Sequence, residues 1–169
     1  GDLFEAFLGD DDNRPLVGLI SRHLHNLSQD GLKIYLMRGN RDIMMGERFA
    51  KACGATLLAD PTIINLYGVP TMLLHGDSLC TLDVKHQKYR KLTLNPKIRW
   101  IFLHLPLIVR QKIASYLRQK SKKHQSETLI ETQSNTPDIL DVNPDEVVEM
   151  LKLYECSQMI HGHTHKPKI

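Results

Sequence analysis

The sequence predicts an α/β fold, because two kinds of pattern alternate along its 169 residues. Short apolar runs typical of buried strands end in polar loops, and helical periodicity follows those loops. A third observation concerns the loops themselves, which repeatedly pair glycine with a carboxylate, amide or imidazole side chain. The composition is 41% hydrophobic and 24% charged, so we expect residues 1–169 to form a single soluble domain.

The individual elements follow from periodicity, capping residues and turn signals. Strands are predicted at 32–37, 55–58, 62–66, 71–74 and 157–160, with a turn at 68–70. Helices are predicted at 14–29, from a cap at Asp42 to about Cys53, at 82–94, at 97–119 with a break near Pro106, and from a cap at Asn143 to about Glu155. The polar segment 121–136 lacks periodicity and is predicted to be a mobile loop.

The charge is very unevenly distributed along the chain. Residues 84–124 contain twelve Lys or Arg and no Asp or Glu, whereas the remaining residues carry a net charge of −9. This asymmetry predicts an inserted basic helical unit over 84–136 with an anionic partner, such as a lipid headgroup, a phosphate or nucleic acid. The simpler alternative is a helical hairpin packed on its own domain, with its charges solvated.

Several classes of protein are excluded by what the sequence lacks. The longest apolar run, 100–109, is too short to span a membrane and is broken by His104 and Pro106. Neither a P-loop nor a GxGxxG motif is present, which argues against nucleotide triphosphatases and dinucleotide-binding proteins. The three cysteines form no CxxC pair, so we expect free thiols in a reducing compartment.

The acidic run 10–12 has two interpretations. It is either a solvated cap for the helix that begins near Arg14 or a third cation site, and the cap is the simpler of the two.

Four polar clusters at predicted strand ends carry the chemistry. They are Gly1-Asp2, Gly39-Asn40-Arg41-Asp42, His75-Gly76-Asp77 and Gly162-His163-Thr164-His165. Taken singly, each is typical of a turn, a helix cap, a core histidine or a solvated His-rich loop. Together they supply mixed oxygen and nitrogen ligands, which suit Mn, Fe or Zn better than Ca or Mg. Ligands collect beyond the carboxyl ends of strands in such folds, so the sequence predicts a metal centre there.

The order of these clusters resembles the calcineurin-like metallophosphoesterases. That family's pattern is Asp-x-His, Gly-Asp, Gly-Asn-[His/Arg]-[Glu/Asp], His and Gly-His-x-His. More narrowly, the motifs at 1–5, 9–12, 39–42, 75–81 and 161–167 resemble the branch that acts on UDP-2,3-diacylglucosamine in bacterial lipid A synthesis. The resemblance implies an α/β/β/α sandwich, here truncated at both ends, with an inserted helical lid at about 84–136.

By motif position, the resemblance also implies roles for individual residues. Asp2 would bridge two Mn²⁺ ions; Asn40, His75 and His163 would complete the shell of one ion, and His165 would bind the other. The implied catalytic residues are Asp2, Asn40 and His163. The implied substrate contacts are Asn40, Arg41, Asp83, Arg118, Ser121 and His163, with Arg41 on a phosphate. His86 stands where the family has an aromatic phenol.

The implied reaction is Mn-dependent hydrolysis of the pyrophosphate bond of UDP-2,3-diacylglucosamine, giving UMP and 2,3-diacylglucosamine 1-phosphate (lipid X). The implied partners are this lipid-linked UDP-sugar and an anionic membrane surface, but not nucleic acid. We expect a monomer that is cytoplasmic and peripheral on the inner face of the bacterial inner membrane. The alternatives are a related phosphoesterase acting on nucleotides and a non-catalytic lipid-binding remnant.

The Asp-x-His motif belongs before Gly1, so we expect the chain as written to bind the second metal poorly and to have little activity.

Overall fold

The computed structural model describes residues 1–132 and 141–164. Its helices are α1 (Pro15–Gln29), α2 (Glu47–Ala52), α3 (Val84–Leu94), α4 (Pro96–His104), α5 (Leu107–Thr132) and α6 (Pro144–Leu153). Its strands are β1 (Ile34–Met37), β2 (Ala55–Leu58), β3 (Thr62–Leu66), β4 (Val69–Leu74) and β5 (Gln158–His161), and a short 3-10 helix covers Asp77–Leu79. The predicted α/β class is confirmed, and strands and helices lie within a few residues of their expected positions except where noted below.

The strands form two small sheets. Strands β1 and β2 pair in parallel, from Ile34 opposite Ala55 to Met37 opposite Leu58. In the second sheet β4 pairs antiparallel with β3 and parallel with β5, and Leu74 lies opposite His161. Because β4 and β5 run in the same direction, the residues that follow them emerge side by side at one edge.

An apolar cluster fixes residues 1–12, which form neither helix nor strand. The rings of Phe4 and Phe7 pack against each other and against Phe49 of α2, with centroids 4.9 to 5.6 Å apart. The backbone N–H of Phe7 also donates to the carbonyl of Arg41, at 3.1 Å. Burial of these aromatic rings therefore holds the first residues of the chain beside the loop that follows β1.

A second cluster supports β4 and β5. Met72 and Leu74 of β4 are buried with Leu79 and Cys156, and α6 covers them with Val147, Met150 and Leu151. Cys53, Cys80 and Cys156 are all buried and none of them forms a disulfide, as predicted.

The prediction that Asp42 caps a helix is wrong. Helix α2 begins five residues later, at Glu47, with Gly46 as its N-cap. The side chain of Asp42 is completely buried and accepts the backbone N–H groups of Leu3 and Gly39, at 2.7 and 2.6 Å. Its short acceptor side chain folds the loop after β1 instead of starting a helix.

The acidic run 10–12 is neither a solvated cap for α1 nor a cluster arranged around a cation, because each carboxylate has a different partner. Asp10 accepts from the N–H groups of Gly46 and Arg48 and so caps α2. Asp11 pairs with the buried Arg110. Asp12 is buried and pairs with Arg14 at 2.6 Å, while α1 has no side-chain cap.

The prediction of a loop at 121–136 is wrong over 121–132, because α5 continues as a helix to Thr132. This stretch contains Lys, Gln, Ser and Glu, several of which favour helices although they give no apolar stripe. Residues 133–136 lie outside the described residues. The break near Pro106 is confirmed, since it separates α4 from α5.

Helix α4 has one half-buried side and one exposed side. Phe102 and Leu103 pack against the aromatic cluster, whereas Trp100 and Ile101 are 62% and 56% exposed. The hairpin therefore does pack on its own domain, but α4 leaves Trp100 and Ile101 in solvent. Among the helices described, none is both long enough and apolar enough to cross a membrane.

Candidate metal centre

Four side chains from distant parts of the chain converge where the loops after β1, β4 and β5 meet the first residues of the chain. Nε2 of His75 lies 3.1 Å from Oδ1 of Asn40, 3.2 Å from Nδ1 of His163 and 3.6 Å from Oδ2 of Asp2. Donor atoms of Asp2, His75 and His163 all lie within 4.8 Å of one another. The structure thus brings together four of the five metal ligands implied by the resemblance; the fifth, His165, lies outside the described residues.

Hydrogen bonds from main-chain N–H groups join the four ligand-bearing loops in two pairs. The N–H of Arg41 donates to Oδ1 of Asp2 at 2.9 Å, which joins the first loop to the second. The carbonyl of His75 accepts the N–H of Gly162, also at 2.9 Å, which joins the loops after β4 and β5. Each of the loops that carry these ligands is therefore held by a neighbouring loop.

Close packing and unusual backbone angles accompany this arrangement. A side chain at Gly39 would collide with Asp2, and one at Gly76 (φ 111°) would meet the carbonyl of Gly162 at 2.9 Å. Asp2 and His163 adopt positive φ values of 60° and 73°. Left-handed backbone is costly for residues other than glycine, and such positions cluster at functional sites.

The spacing of the ligand atoms fits a divalent transition metal. Two donors bound at about 2.1 Å, with angles of about 90 to 110° between them, lie about 3.0 to 3.4 Å apart. The contacts of His75 Nε2, at 3.1, 3.2 and 3.6 Å, are close to this range. One imidazole nitrogen has a single proton or lone pair and cannot satisfy three such neighbours. A cation at the centre of the group would satisfy all of them.

The two histidines are held in the neutral form that metals bind. Burial lowers the pKa of His75 to about 4. Burial, together with the neighbouring imidazoles of His75 and His86, also lowers the pKa of His163 to about 4. Both rings therefore present a free lone pair at neutral pH.

Three charged residues next to His75 (Asp60, Asp77 and Arg90) are joined by ion pairs and support its loop, and their grouping could not be recognised from the sequence. Asp77 is buried, which by itself raises the pKa, but the neighbouring His86 and Arg90 outweigh burial and lower the pKa of Asp77 to about 2. Burial and the nearby Asp77 carboxylate raise the pKa of Asp60. Asp77 belongs to the His75-Gly76-Asp77 motif that the sequence singled out. Arg90 is one of twelve Lys or Arg residues in 84–124, and no sequence pattern distinguished it as the partner of Asp77.

The remaining implied substrate residues lie in the loop after β1 and between Asp83 and Ser121 in the helical segment. Arg41 is close to Asp2, with Nε 3.4 Å from Oδ2, and its Nη1 lies 3.0 Å from Glu5. Arg118 of α5 forms an ion pair with the same Glu5, and its buried Nε has no hydrogen-bond partner among the described residues. Ser121 is exposed one turn beyond Arg118. Asp83 caps α3 by accepting the N–H of His86 at 2.9 Å.

A carboxylate, an amide and two imidazoles that meet at strand ends are typical of a metal-dependent hydrolase. The chain is similar over its whole length to proteins named UDP-2,3-diacylglucosamine hydrolase. It is 47% identical to that of Aeromonas hydrophila over 172 residues, covering 100% of this chain and 67% of the relative. It is 47% identical to that of Hahella chejuensis over 167 residues, covering 99% and 66%, and 46% identical to that of Pectobacterium carotovorum over 169 residues, covering 100% and 68%.

The chain belongs to the UDP-2,3-diacylglucosamine hydrolase family. It spans about two thirds of the length of the curated relatives it matches. No protein-family model matches the chain.

Proposed function

We propose that the protein hydrolyses the pyrophosphate bond of UDP-2,3-diacylglucosamine, giving UMP and 2,3-diacylglucosamine 1-phosphate. The convergence of Asp2, Asn40, His75 and His163 is the observation that carries this proposal. Family membership supports the substrate, since the relatives are named for it. The wider fold is proposed to be the α/β/β/α sandwich, with 84–136 as its lid.

Two Mn²⁺ ions are proposed as the cofactors, held by Asp2, Asn40, His75 and His163 on one side and by Asp2 and His165 on the other. When bound, the metals supply Lewis-acid polarisation of the phosphate and a nucleophile at neutral pH. Asp2, Asn40 and His163 are the proposed catalytic residues, as the family resemblance implies, and each has a polar atom within 3.6 Å of Nε2 of His75. All of these residues come from one chain, and we propose a monomer.

Substrate phosphate is proposed to bind between the metal centre and the two arginines at its edge. Arg41 reaches the cluster beside Asp2, and the guanidinium fork matches phosphate oxygens. Within the described part of the chain, the buried Nε of Arg118 has no hydrogen-bond partner, and an anionic oxygen would satisfy this donor. Asp83 and Ser121 are proposed as further substrate contacts in the same helical segment.

The activity is tested by following UMP release from UDP-2,3-diacylglucosamine, with and without Mn²⁺, on protein that includes any residues encoded upstream of Gly1. We expect Mn-dependent turnover that His75→Ala abolishes and that exceeds turnover of soluble nucleotides. A preference for soluble nucleotides would instead favour a related phosphoesterase. Lipid binding without turnover would favour a non-catalytic protein.

An anionic membrane surface is proposed as the second partner, which would place the protein at the inner face of the bacterial inner membrane. The support is the exposed pair Trp100 and Ile101 within a segment that carries twelve cations and no acid. Apolar side chains flanked by cations are typical of peripheral attachment to anionic lipid.

This surface is tested by sedimentation with phosphatidylglycerol vesicles. Trp100→Ser/Ile101→Ser should reduce binding, whereas the control Leu153→Ser, which removes an even more exposed apolar residue from α6, should not. Equal binding by all three proteins would contradict the proposal.

A further inference from the structure

Arg90 of α3 lies between two carboxylates that come from different loops. Its Nε is 3.0 Å from Oδ2 of Asp77, and its Nη2 is 3.8 Å from Oδ2 of Asp60. The three side chains are largely shielded, with 21% of Arg90, 5% of Asp77 and 18% of Asp60 exposed. In this setting two carboxylates repel each other, and the guanidinium between them offsets that repulsion.

Both carboxylates belong to the immediate support of His75. Oδ1 of Asp60 accepts the backbone N–H of His75 at 3.1 Å. Asp77 is two residues beyond His75 and begins the short 3-10 helix. The position of the His75 main chain therefore depends on where these two acidic residues are held.

A second side chain of α3 binds the same loop. The amide of Gln87 donates to the carbonyls of Asp77 and Cys80, at 2.8 and 3.0 Å. Gln87 and Arg90 are three residues apart and so lie on one face of the helix. Side chains of α3 thus bind both the main chain of the loop after β4 and the carboxylate of Asp77 in that loop.

We propose that Arg90 is a positioning residue for the metal centre. It neutralises Asp60 and Asp77 and, through them, holds the His75 imidazole towards Asp2 and His163. The inference rests on the metal centre of the proposed function but not on the substrate. Groups that orient metal ligands in this indirect way affect metal affinity by about 10- to 100-fold when they are removed.

The matched variants are Arg90→Met, Arg90→Lys and Lys91→Met. Arg90→Met keeps much of the side-chain volume but removes the charge. Arg90→Lys keeps the charge but has a single ammonium, which cannot reproduce the two-ended contact of Nε and Nη2. Lys91→Met removes the same charge from the next, exposed position of α3.

The primary readout is the dissociation constant for Mn²⁺, measured by electron paramagnetic resonance of the free ion. Unfolding in EDTA serves as the check on folding. We expect about 10- to 100-fold weaker binding for Arg90→Met, a smaller loss for Arg90→Lys and no change for Lys91→Met. A folded Arg90→Met variant that binds within about twofold of the parent would overturn the proposal, as would an equal loss in Lys91→Met.

If Arg90→Met fails to fold, Arg90→Lys decides: an intermediate loss supports the proposal and parental affinity overturns it. A parent chain that binds no Mn²⁺ overturns this inference together with the metal centre. If the parent binds Mn²⁺ and the Arg90 variants bind it more weakly, but the parent does not hydrolyse the UDP-lipid, only the proposed function is contradicted.

Discussion

His75 and His163 are 88 residues apart in the sequence, yet Nδ1 of His163 lies 3.2 Å from Nε2 of His75. The parallel pairing of β4 with β5 brings them together, because each histidine follows its strand directly or by two residues. Two neutral imidazoles at this distance, beside a carboxylate and an amide, present more lone pairs than protons. This excess is the physical basis of the proposed metal centre.

Replacing His75 should remove a central ligand. We expect His75→Ala to weaken Mn²⁺ binding by at least about 100-fold, because loss of a direct ligand should cost no less than loss of an outer contact. Isothermal titration measures the affinity, and His23→Ala, at an exposed position of α1, is the control. Equal affinities of the two variants would show that His75 is not a ligand.

The stability of the metal-free chain should depend on pH through His75 and His163. Their pKa values are near 4 in the folded chain against 6.5 for the free side chain, so the unfolded state binds more protons between these values. The free energy of unfolding should therefore fall as the pH decreases from 6.5 towards 4. Above 6.5 these two groups contribute no pH dependence.

Urea unfolding in EDTA at several pH values across this window measures the effect. His75→Ala should flatten the dependence, because one of the two groups is removed. A free energy of unfolding that rises as the pH falls through the same window would disagree with the burial of these neutral rings.

Gly39→Ala should disturb the site through Asp2. The added methyl group would collide with the side chain and the backbone nitrogen of Asp2, and relieving that overlap is expected to cost about 1 to 3 kcal/mol. Mn²⁺ affinity should fall as well, because Asp2 must move. Gly18→Ala is the control: the position is in α1 with open space around it, so alanine should be neutral or slightly stabilising. Parental metal affinity in Gly39→Ala would argue against Asp2 as a ligand.

Glu5 connects the two arginines proposed to bind substrate phosphate. Its carboxylate contacts Arg41 and Arg118, which holds two like charges in one place. Glu5→Gln should raise KM for the UDP-lipid by about three- to tenfold with little change in kcat, since substrate must then bring the arginines together itself. The cost in stability should stay below about 1 kcal/mol, because Glu5 is 65% exposed. A lower KM would mean that Glu5 competes with substrate phosphate.

The fold class and the loops that carry Asn40, His75 and His163 could be predicted from the sequence for one physical reason, whereas Asp2, which follows no strand, entered the cluster through the family resemblance. Glycine-flanked polar residues after apolar runs mark the ends of strands, and the ends of parallel strands meet. The resemblance to a known family then assigned a role to each residue. The domain boundaries, the lid over 84–136 and the substrate contacts stay predictions.

The partners of charged residues could not be predicted in the same way. Asp42 looked like a helix cap, but the carboxylate that accepts the first N–H groups of α2 is that of Asp10, 36 residues before Gly46. Similarly, the sequence did not distinguish Arg90 from the other eleven Lys and Arg residues of 84–124, and its contacts with Asp60 and Asp77 are known only from the structure. Such pairs depend on long-range packing, which local propensity does not encode. The helical stretch 121–132 was missed because a helix that is polar all round has no apolar stripe.

A crystal structure of the chain soaked in MnCl₂, with data collected at a wavelength where manganese scatters anomalously, tests the central claim most directly. We predict an anomalous peak about 2.0 to 2.3 Å from Asp2, Asn40, His75 and His163, with all four side chains directed at it. Side chains that point away from one another, or a peak elsewhere with none at this cluster, would contradict the account.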